Sequence, residues 1–417
     1  MRTLQQWLAW QETLHPNAID LGLSRVAEVY QRLGGIKPAP LVITVAGTNG
    51  KGSSVAYLES ILRQAGYRTG AYTSPHLLHY NERIRINGAA ATDDAICRAF
   101  TRIDRARDTI SLTYFEFGTL AALELFREQA LDVVILEVGL GGRLDATNII
   151  NPDVALITNI SLDHTRWLGT DVESIAAEKA GIMRANHPVI FSDPQQPTAI
   201  GATARNLGAP LYSLGREFSV QIQGDTWSWR SQGRHFEKLA LPILLGRHQL
   251  NNAAGVLMVL TLLADRLPVA EKEIREGLRS VELPGRFQQH GDSPAIFFDV
   301  SHNPGATGVL AETLCALPRQ GPWHAVAGFM EDKDLAGILR PLRGHIGHWF
   351  FCELAGVRGA KQARLAAAAK QAMLESVDYY PSPKAAFSAA RQLTPVTGQI
   401  LVFGSFVTVA EIMAQLG

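Results

Sequence analysis

A glycine-rich turn that joins a buried strand to a helix constrains the fold of this chain more than any other segment. Residues 42–53 read V-I-T-V-A-G-T-N-G-K-G-S, an apolar run followed by three glycines and one lysine. A helix is predicted from Ser53 to Ala65, because apolar side chains recur there at helical spacing, and Gly66 comes where a helix prefers to end. Such a turn directs backbone N–H groups and the positive end of the helix dipole at one point, which predicts a phosphate-binding loop.

Two side chains of this loop have the chemistry of nucleotide binding. Lys51 would reach the β- and γ-phosphates, and the Ser53 hydroxyl would bind Mg²⁺. The alternative is a plain glycine turn with a solvated lysine, and the flanking strand and helix favour the nucleotide. The motif differs from the GxxxxGK[ST] loop of GTPases and motor ATPases, because Val45 stands where that motif has glycine and Gly52 separates Lys51 from Ser53.

Length and charge limit the classes of protein to which the chain can belong. At 417 residues it is too long for one ordinary hydrophobic core, so we expect two domains. Its 39 basic and 39 acidic residues give no net charge, whereas nucleic-acid binders normally show a basic excess. We therefore expect no nucleic-acid partner, and an anionic substrate must be held by local groups.

Cysteine usage and hydropathy predict a cytoplasmic enzyme. Cys97, Cys315 and Cys352 lie far apart and form no CxxC pair, as expected in a reducing compartment. The first residues lack the apolar core of a secretion signal. The longest apolar stretch, 256–264, is less than half of what a bilayer needs, so we expect no membrane partner.

Strand-like and helix-like runs alternate along the chain, which predicts mostly parallel sheets covered by helices on both faces. After the loop, strands are predicted at 68–73, 132–138, 154–160 and 188–192. Helices are predicted at 95–106, 117–129, 172–185 and 249–263. Residues 211–245 are aromatic and polar and predict a β-hairpin or a small antiparallel patch.

A second α/β pattern begins near residue 294. Its strands are predicted at 295–300, 324–329, 348–353, 377–380 and 399–403. The stretch before it contains proline and glycine and has little periodicity, which predicts a hinge. The predicted fold class is α/β, with an N-terminal P-loop ATPase-type domain built on a mostly parallel sheet and a smaller C-terminal Rossmann-like α/β domain. The predicted boundaries are 1–284 for the first domain, 285–294 for the linker and 295–417 for the second domain.

Polar residues follow three predicted strands, where open α/β sheets bind their ligands. They are Ser74, Glu137 and His164. Hydroxyl and carboxylate oxygens suit Mg²⁺, and histidine is a less usual ligand of this ion. From the residues alone, an ion pair of Glu137 with Arg143 and a helix cap or core hydrogen bond for His164 are supported at least as well as a metal site.

The order of motifs along the whole chain resembles that of the bacterial bifunctional dihydrofolate synthase/folylpolyglutamate synthase family, within the Mur ligase superfamily. The matching segments are the glycine-rich loop, I-D-L-G-L at 19–23, T-S-P-H-L at 73–77, S-L-T-Y-F-E at 111–116, E-V-G-L-G-G-R-L-D-A-T-N at 137–148, D-H-T at 163–165, E-K-A-G-I at 178–182, L-P-G-R-F at 283–287, F-D-V-S-H-N-P at 298–304 and G-S-F at 404–406. This many ordered motifs are far more specific than any one of them.

The resemblance implies an ATP-dependent ligase that adds L-glutamate to 7,8-dihydropteroate, and further glutamates to reduced folates, through an acyl phosphate. It implies ATP as co-substrate, two Mg²⁺ ions and a monomer, and it leaves open whether a monovalent cation assists. A Mur ligase acting on a UDP-linked muramyl peptide is the nearest rival, and I-D-L-G-L and S-L-T-Y-F-E oppose it. A nucleotide switch that hydrolyses ATP without either substrate is a more remote rival.

The resemblance also assigns roles to nucleotide and metal residues. The ATP-binding residues would be Asn49, Gly50, Lys51, Gly52, Ser53, Asn252, Arg286 and Asp299. The Mg²⁺ ligands would be Ser74, Glu137 and His164. The catalytic residues would be Lys51, His164 and Lys179, the last of them carbamylated. Without the family, Lys179 is equally a solvated helix lysine paired with Glu178, and Asn252, whose neighbour Asn251 leaves the register open by one, is equally a helix cap.

The resemblance assigns substrate residues in the same way. The residues around dihydropteroate would be Ile19, Asp20, Leu21, Thr113, Tyr114, Phe115, Glu116, Leu144, Asp145 and Ala146. His302 and Asn303 would lie near the incoming glutamate. Without the family, Asn303 and Pro304 are equally the cap and first turn of a helix, Arg286 a linker arginine and Asp299 a strand-end aspartate.

Overall fold

The computed structural model describes residues 2–317, 321–356 and 358–416. The chain divides into two compact units. The first comprises the residues up to Ile243 together with Gln249–Val281, and the second comprises Leu244–His248 together with the residues from Glu282 onward.

An eight-stranded sheet forms the centre of the first unit. Its strands, in chain order, are β1 (Leu41–Ala46), β2 (Thr69–Tyr72), β3 (Ile84–Ile86), β4 (Ala89–Ala90), β5 (Val133–Glu137), β6 (Val154–Ile157), β7 (Val189–Phe191) and β8 (Leu211–Ser213). Their spatial order is β4-β3-β2-β5-β1-β6-β7-β8. Every pair from β2 to β8 is parallel, and β3 and β4 add an antiparallel edge. The predicted mostly parallel sheet is confirmed.

Helices cover this sheet. They are α1 (Leu4–Leu14), α2 (Ser24–Arg32), α3 (Lys51–Gln64), α4 (Asp93–Arg107), α5 (Tyr114–Arg127), α6 (Thr165–Leu168), α7 (Val172–Ala180), α8 (Thr198–Leu207), α9 (Arg247–Leu262) and α10 (Glu271–Arg279). The helix predicted over 172–185 ends earlier, at Ala180. The carbonyl of Gly181 accepts hydrogen bonds from the side chains of Asn148 and Arg184, at 3.0 and 3.2 Å, instead of continuing the helix.

Aromatic side chains fill one core between α1, α4 and α5. Trp7, Phe100 and Phe117 are buried, and their ring centroids are 5.3 to 6.4 Å apart. The same hydrophobic cluster includes Tyr72 of β2 and Ala146. Two of the segments predicted to contact dihydropteroate therefore contribute to this core, since Ala146 belongs to it and Tyr114 and Phe115 pack against it.

A three-stranded antiparallel sheet completes the first unit, as residues 211–245 predict. It consists of β9 (Phe218–Gln223), β10 (Thr226–Ser231) and β11 (Arg234–Ala240). Trp227 and Trp229 of β10 are fully buried. The indole N–H of Trp229 donates to the Ala254 carbonyl of α9 at 3.2 Å, which fixes this sheet on the helix.

The second unit contains a six-stranded sheet. Its strands are β12 (Gln288–His290), β13 (Ala295–Phe298), β14 (Trp323–Ala327), β15 (Ile346–Cys352), β16 (Val377–Tyr380) and β17 (Gln399–Phe403), in the spatial order β12-β13-β17-β14-β15-β16. Its helices are α11 (Pro304–Ala316), α12 (Leu335–Leu339), α13 (Gln362–Gln371), α14 (Pro383–Leu393) and α15 (Phe406–Leu416). All pairs are parallel except β12 with β13, as expected for a Rossmann-like domain.

Strand β12 lies within the stretch that the sequence predicts to be a linker. Its three residues are exposed and polar, so the stretch lacks the alternation that reveals a half-buried strand. Its pairing with β13 becomes visible only in the structure.

Among the described residues, no helix is long and apolar enough to cross a membrane.

Candidate active site

The glycine-rich loop leads from β1 into α3. Helix α3 begins at Lys51, two residues before the predicted start, because Gly50 adopts φ 87° and caps the helix in the left-handed region. A side chain would be strained there. Lys51 and Ser53 therefore lie in the first turn of α3, where unpaired N–H groups and the helix dipole favour an anion.

Residues that follow β6 hold the loop in place. The Thr158 hydroxyl donates to the Asn49 carbonyl at 2.7 Å, and the Asn49 N–H donates to the Asn159 side chain at 2.8 Å. A Cβ at Gly47 would lie 1.7 Å from the Thr158 oxygen, so this close approach requires glycine. Thr158 and Asn159 were not predicted to be site residues. Their position directly after a buried parallel strand was the available signal.

Two lysines converge on one backbone carbonyl of the loop. Lys51 Nζ donates to the Gly47 carbonyl at 3.1 Å, and Lys179 Nζ of α7 donates to the same oxygen at 2.9 Å. Lys179 is 4 % exposed. Burial of the ammonium group and the nearby charge of Lys51 together lower its pKa to about 7, although Asp163 and Asp145 oppose the shift. A lysine in this state is partly neutral near pH 7 and can act as a nucleophile.

The solvated-lysine alternative for Lys179 is wrong. Its supposed partner, Glu178, instead forms an ion pair with Arg143, with 2.7 Å between Arg143 Nη2 and Glu178 Oε1. The same contact removes the alternative pairing of Arg143 with Glu137. The pairing of Lys179 with Glu178 failed because consecutive residues of a helix face different sides of it.

Ser53 and Asn252 are connected by Gln249, which no sequence motif marked as a site residue. Gln249 Nε2 donates to Ser53 Oγ at 3.1 Å, and Gln249 Oε1 accepts from Asn252 Nδ2 at 3.1 Å. All three side chains are buried. The Asn252 carboxamide faces the loop, since a Cβ at Gly50 would lie 2.4 Å from Asn252 Oδ1. This contact favours Asn252, the residue that the resemblance selects, over Asn251.

Of the predicted metal ligands, Glu137 ends β5, Ser74 follows β2, and His164 lies between β6 and α6. Glu137 is buried, and its Oε2 accepts from the Ser74 N–H at 3.2 Å, so these two residues are in contact. His164 is partly exposed and has φ 51°. It occupies the N-cap position of α6, as the helix-cap alternative predicts, although its side chain makes no capping bond.

The donor set fits Mg²⁺ better than a structural transition metal. No group of three or more His, Cys, Asp or Glu side chains that could hold a metal occurs in the described part of the chain. The predicted set has one carboxylate, one imidazole and one serine. Such an incomplete set suits an ion that keeps water and substrate phosphates as ligands.

The structure brings together segments predicted to enclose dihydropteroate. Arg25 of α2 donates to Asp20 Oδ2 at 2.8 Å and to Glu116 Oε1 at 3.2 Å. Thr113 caps α5, and its backbone N–H donates to Glu116 Oε2 at 2.7 Å. One arginine, missed by the sequence analysis, therefore connects the loop of Ile19, Asp20 and Leu21 to the start of α5.

The third predicted segment is ordered by Asp145. This buried carboxylate accepts from the Leu140 N–H at 2.9 Å and from the Thr147 hydroxyl at 2.7 Å. Burial raises its pKa, and the hydrogen bonds oppose that rise. Leu144 is half-buried, and Ala146 belongs to the same core cluster against which Tyr114 and Phe115 pack.

In the second unit, Asp299, His302 and Asn303 follow β13, and Arg286 precedes β12. Asp299 is buried and accepts from the backbone N–H groups of Phe287 and Ser301, at 3.0 and 2.8 Å. Burial raises the pKa of Asp299, while Ser301 and Arg286 oppose the rise. The Arg286 guanidinium lies 5.8 Å from the ring centre of Phe406.

His302 and Asn303 lie at the start of α11. His302 Nδ1 lies 2.8 Å from the Val300 carbonyl, which can only accept, so Nδ1 carries the hydrogen. Asn303 caps α11 by accepting from the Ala306 N–H at 2.9 Å, with Pro304 in the first turn. The capping alternative for Asn303 and Pro304 is therefore correct, and a contact with glutamate stays a prediction.

Two family models match the chain. The Mur ligase middle domain matches residues 45–260, and the Mur ligase glutamate ligase domain matches residues 285–406. The first match alone covers half of the chain.

Similar proteins cover nearly its full length. The dihydrofolate synthase/folylpolyglutamate synthase of Escherichia coli K12 is 46% identical over 98% of this chain and 94% of its own length. The Haemophilus influenzae protein of the same name is 40% identical over 99% and 97%.

Solved structures agree with these matches. Escherichia coli FolC in complex with DHPP and ADP has a TM-score of 0.94 at 46% identity and covers 100% of this chain and 98% of that one. A bifunctional folylpolyglutamate synthase/dihydrofolate synthase with Mn, AMPPNP and L-glutamate bound has a TM-score of 0.92 at 44% identity, with coverage of 100% and 98%. The chain therefore belongs to the dihydrofolate synthase/folylpolyglutamate synthase family of ATP-dependent Mur-type ligases.

Proposed function

We propose that this protein joins the α-amine of L-glutamate to 7,8-dihydropteroate and extends reduced folates by further glutamates, using ATP. The observation that carries the proposal is the convergence of Lys51 and Lys179 on the Gly47 carbonyl, at the N-terminus of α3. The ammonium group of Lys51 supplies the positive charge that a transferred phosphoryl group requires, and the buried, partly neutral Lys179 would be the lysine that is carbamylated. The Asp20–Arg25–Glu116 contact supports a pteridine substrate, because it orders both motifs that oppose a muramyl ligase.

The reaction needs activation of a carboxylate. The negative charge of the dihydropteroate carboxylate repels the incoming amine of glutamate. An oxide ion is also too poor a leaving group to depart from the carboxylate carbon. Transfer of the γ-phosphoryl group from ATP to a carboxylate oxygen gives an acyl phosphate and ADP. The glutamate amine then attacks the acyl carbon, the amine loses a proton, and phosphate leaves with the C–O bond electrons as the amide forms.

Each predicted residue has a place in this scheme. Lys51 neutralises charge on the transferred group, and the N–H groups of Gly50, Gly52 and Ser53 orient the phosphates. Asn49, whose N–H donates to Asn159, would be a further contact of the nucleotide. Ser74, Glu137 and His164 would hold Mg²⁺, which supplies electrostatic stabilisation of the phosphoryl oxygens. A carbamate on Lys179 would replace a cation by an anionic oxygen donor.

Residues of the second unit complete the proposal. Arg286 and Asp299, with Asn252 of the first unit, would contact the nucleotide, and His302 and Asn303 would lie near the glutamate. The domain boundaries 1–284, 285–294 and 295–417, the monomeric state and the cytoplasmic location stay predictions.

ADP release tests the function. Purified protein would receive Mg-ATP and L-glutamate, with and without 7,8-dihydropteroate, and then with tetrahydrofolate instead. We expect release that depends on dihydropteroate and glutamate together, and a further response to tetrahydrofolate. A response to tetrahydrofolate alone would remove the synthase activity and the role of Ile19, Asp20 and Leu21.

Two controls separate the rivals. Turnover with UDP-linked muramyl substrates and none with pteridines would identify a muramyl ligase. ATP hydrolysis that ignores pteridine and glutamate alike would identify a nucleotide switch.

A further inference from the structure

Gln249 connects two residues of the predicted nucleotide site and uses both ends of its side chain to do so. It lies in the first turn of α9 and is 1 % exposed. Its Nε2 donates to Ser53 Oγ, and its Oε1 accepts from Asn252 Nδ2, both at 3.1 Å. A buried amide with both a donor and an acceptor satisfied has a defined orientation.

At one end, Gln249 fixes a hydroxyl group. Ser53 is 1 % exposed in the first turn of α3. A serine hydroxyl has one hydrogen and two lone pairs and rotates to suit its partners. Because Gln249 donates to one lone pair, the hydrogen and the second lone pair are left in set directions.

At the other end, Gln249 fixes a carboxamide. Asn252 Nδ2 donates to Gln249, and Asn252 Oδ1 lies where a Cβ of Gly50 would come within 2.4 Å. The amide group of Asn252 therefore lies against the glycine-rich loop in one orientation. Without Gln249, both orientations of this amide would be open.

We propose that Gln249 is a positioning residue for nucleotide binding, which orients the Ser53 hydroxyl and the Asn252 carboxamide around the glycine-rich loop. The proposal rests on the function proposed above. Polar groups that are oriented before the ligand arrives need no reordering when it binds. Removal of Gln249 would leave Ser53 and Asn252 in place but free to rotate.

Calorimetric titration with Mg-ADP tests this role. Gln249→Leu keeps the side-chain size and removes both hydrogen bonds. We expect its Kd for Mg-ADP to rise about tenfold or more, the size of one buried hydrogen bond. The KM for glutamate should stay close to that of the wild type, and the unfolding temperature should fall, because Ser53 Oγ and Asn252 Nδ2 each lose a buried hydrogen-bond partner.

Gln11→Leu is the matched control. Gln11 of α1 is also a glutamine 1 % exposed, and neither of its amide atoms has a hydrogen-bond partner among the described residues. This variant loses the same amide at a position outside the predicted site. We expect its affinity for Mg-ADP to equal that of the wild type.

A double-mutant cycle with Ser53→Ala separates positioning from a general structural role. If Gln249 acts through Ser53, Gln249→Leu costs less affinity in the Ser53→Ala background than in the wild type. Gln249→Glu is the second variant should Gln249→Leu fail to fold. It keeps the acceptor for Asn252 but cannot donate to Ser53 when ionised, so it too should bind Mg-ADP more weakly.

Wild-type affinity in Gln249→Leu, or strict additivity in the cycle, would overturn the proposal. The titration contains neither pteridine nor glutamate. A wild type that binds Mg-ADP but shows no ligase activity would therefore overturn the proposed function, while the variants still decide the role of Gln249.

Discussion

At the residue scale, Lys179 combines a cost to stability with a role in the reaction. Burial of its ammonium group and the nearby charge of Lys51 disfavour the charged form, which lowers its pKa from 10.5 to about 7. The unfolded chain therefore binds more protons between these pH values, and the wild type gains stability as pH rises from 7 to 10.5. Lys179→Met removes the buried charge and fills the same space.

We expect Lys179→Met to unfold at a higher temperature than the wild type at pH 7, with the difference shrinking towards pH 10. We expect its turnover to fall at least about 100-fold, because the electrostatic contribution of this position is lost. Thermal melts across this pH range in bicarbonate-free buffer, with ADP release, check both. A less stable Lys179→Met at pH 7 would contradict the burial argument.

Sequence and structure differ at this scale for a physical reason. Lys51, Ser53 and Asn252 could be selected because a motif marks them. Gln249 and Arg25 could not, because their importance comes from contacts between elements distant in sequence, such as Gln249 with Ser53 across 196 positions.

At the element scale, the position of α3 depends on its contact with α10. A Cβ at Gly277 would lie 2.5 Å from the Ile61 Cα, and the Ser60 hydroxyl donates to the Gly277 carbonyl at 2.8 Å. Gly277→Ala must push the two helices apart, and we expect a loss of about 1–3 kcal/mol in unfolding free energy. Gly308→Ala in α11 is the control, since nothing lies within 4 Å of its Cβ position.

Helix propensity alone favours alanine at both positions by about 0.5–1 kcal/mol. We therefore expect Gly308→Ala to be slightly more stable than the wild type and Gly277→Ala to be clearly less stable. Scanning calorimetry of both variants checks this difference in sign. Equal shifts would mean that the two helices can separate without cost.

The elements that sequence patterns predicted best are the buried ones. Strands β1, β5 and β17 read as apolar runs because they are covered on both faces, and their burial is complete. Two elements were predicted wrongly. Helix α7 ends early because side chains bond to the Gly181 carbonyl, and the edge strand β12 is held by main-chain pairing with β13. Neither feature produces an apolar pattern in the sequence.

At the scale of the whole molecule, buried titratable groups set the pH of maximum stability. Burial and the charge of Arg83 lower the pKa of His76 from 6.5 to about 4. Burial and the charge of Arg286 lower the pKa of His248 to the same value. The unfolded chain binds more protons in this interval, so stability is lost as pH falls from 6.5 towards 4. The lowered pKa of Lys179 likewise makes stability rise with pH, from about pH 7 upward.

Buried tyrosines set the alkaline limit. Burial raises the pKa of Tyr30 and of Tyr72 from 10.0 to about 12. Above pH 10 the unfolded chain therefore loses protons that the folded chain keeps, and stability falls. Together these groups predict a maximum between about pH 8 and 10, more alkaline than the usual range of about 5–8.

Unfolding temperatures measured from pH 5 to 11 at constant ionic strength check this prediction. His76→Gln removes one of the titrating groups and keeps an acceptor for the Arg83 guanidinium, which donates to His76 Nδ1 at 2.8 Å. We expect this variant to lose less stability than the wild type between pH 6.5 and 5, and to follow the same curve above pH 8. A maximum below pH 7 in the wild type would mean that exposed charges, not these buried groups, control the stability of the molecule.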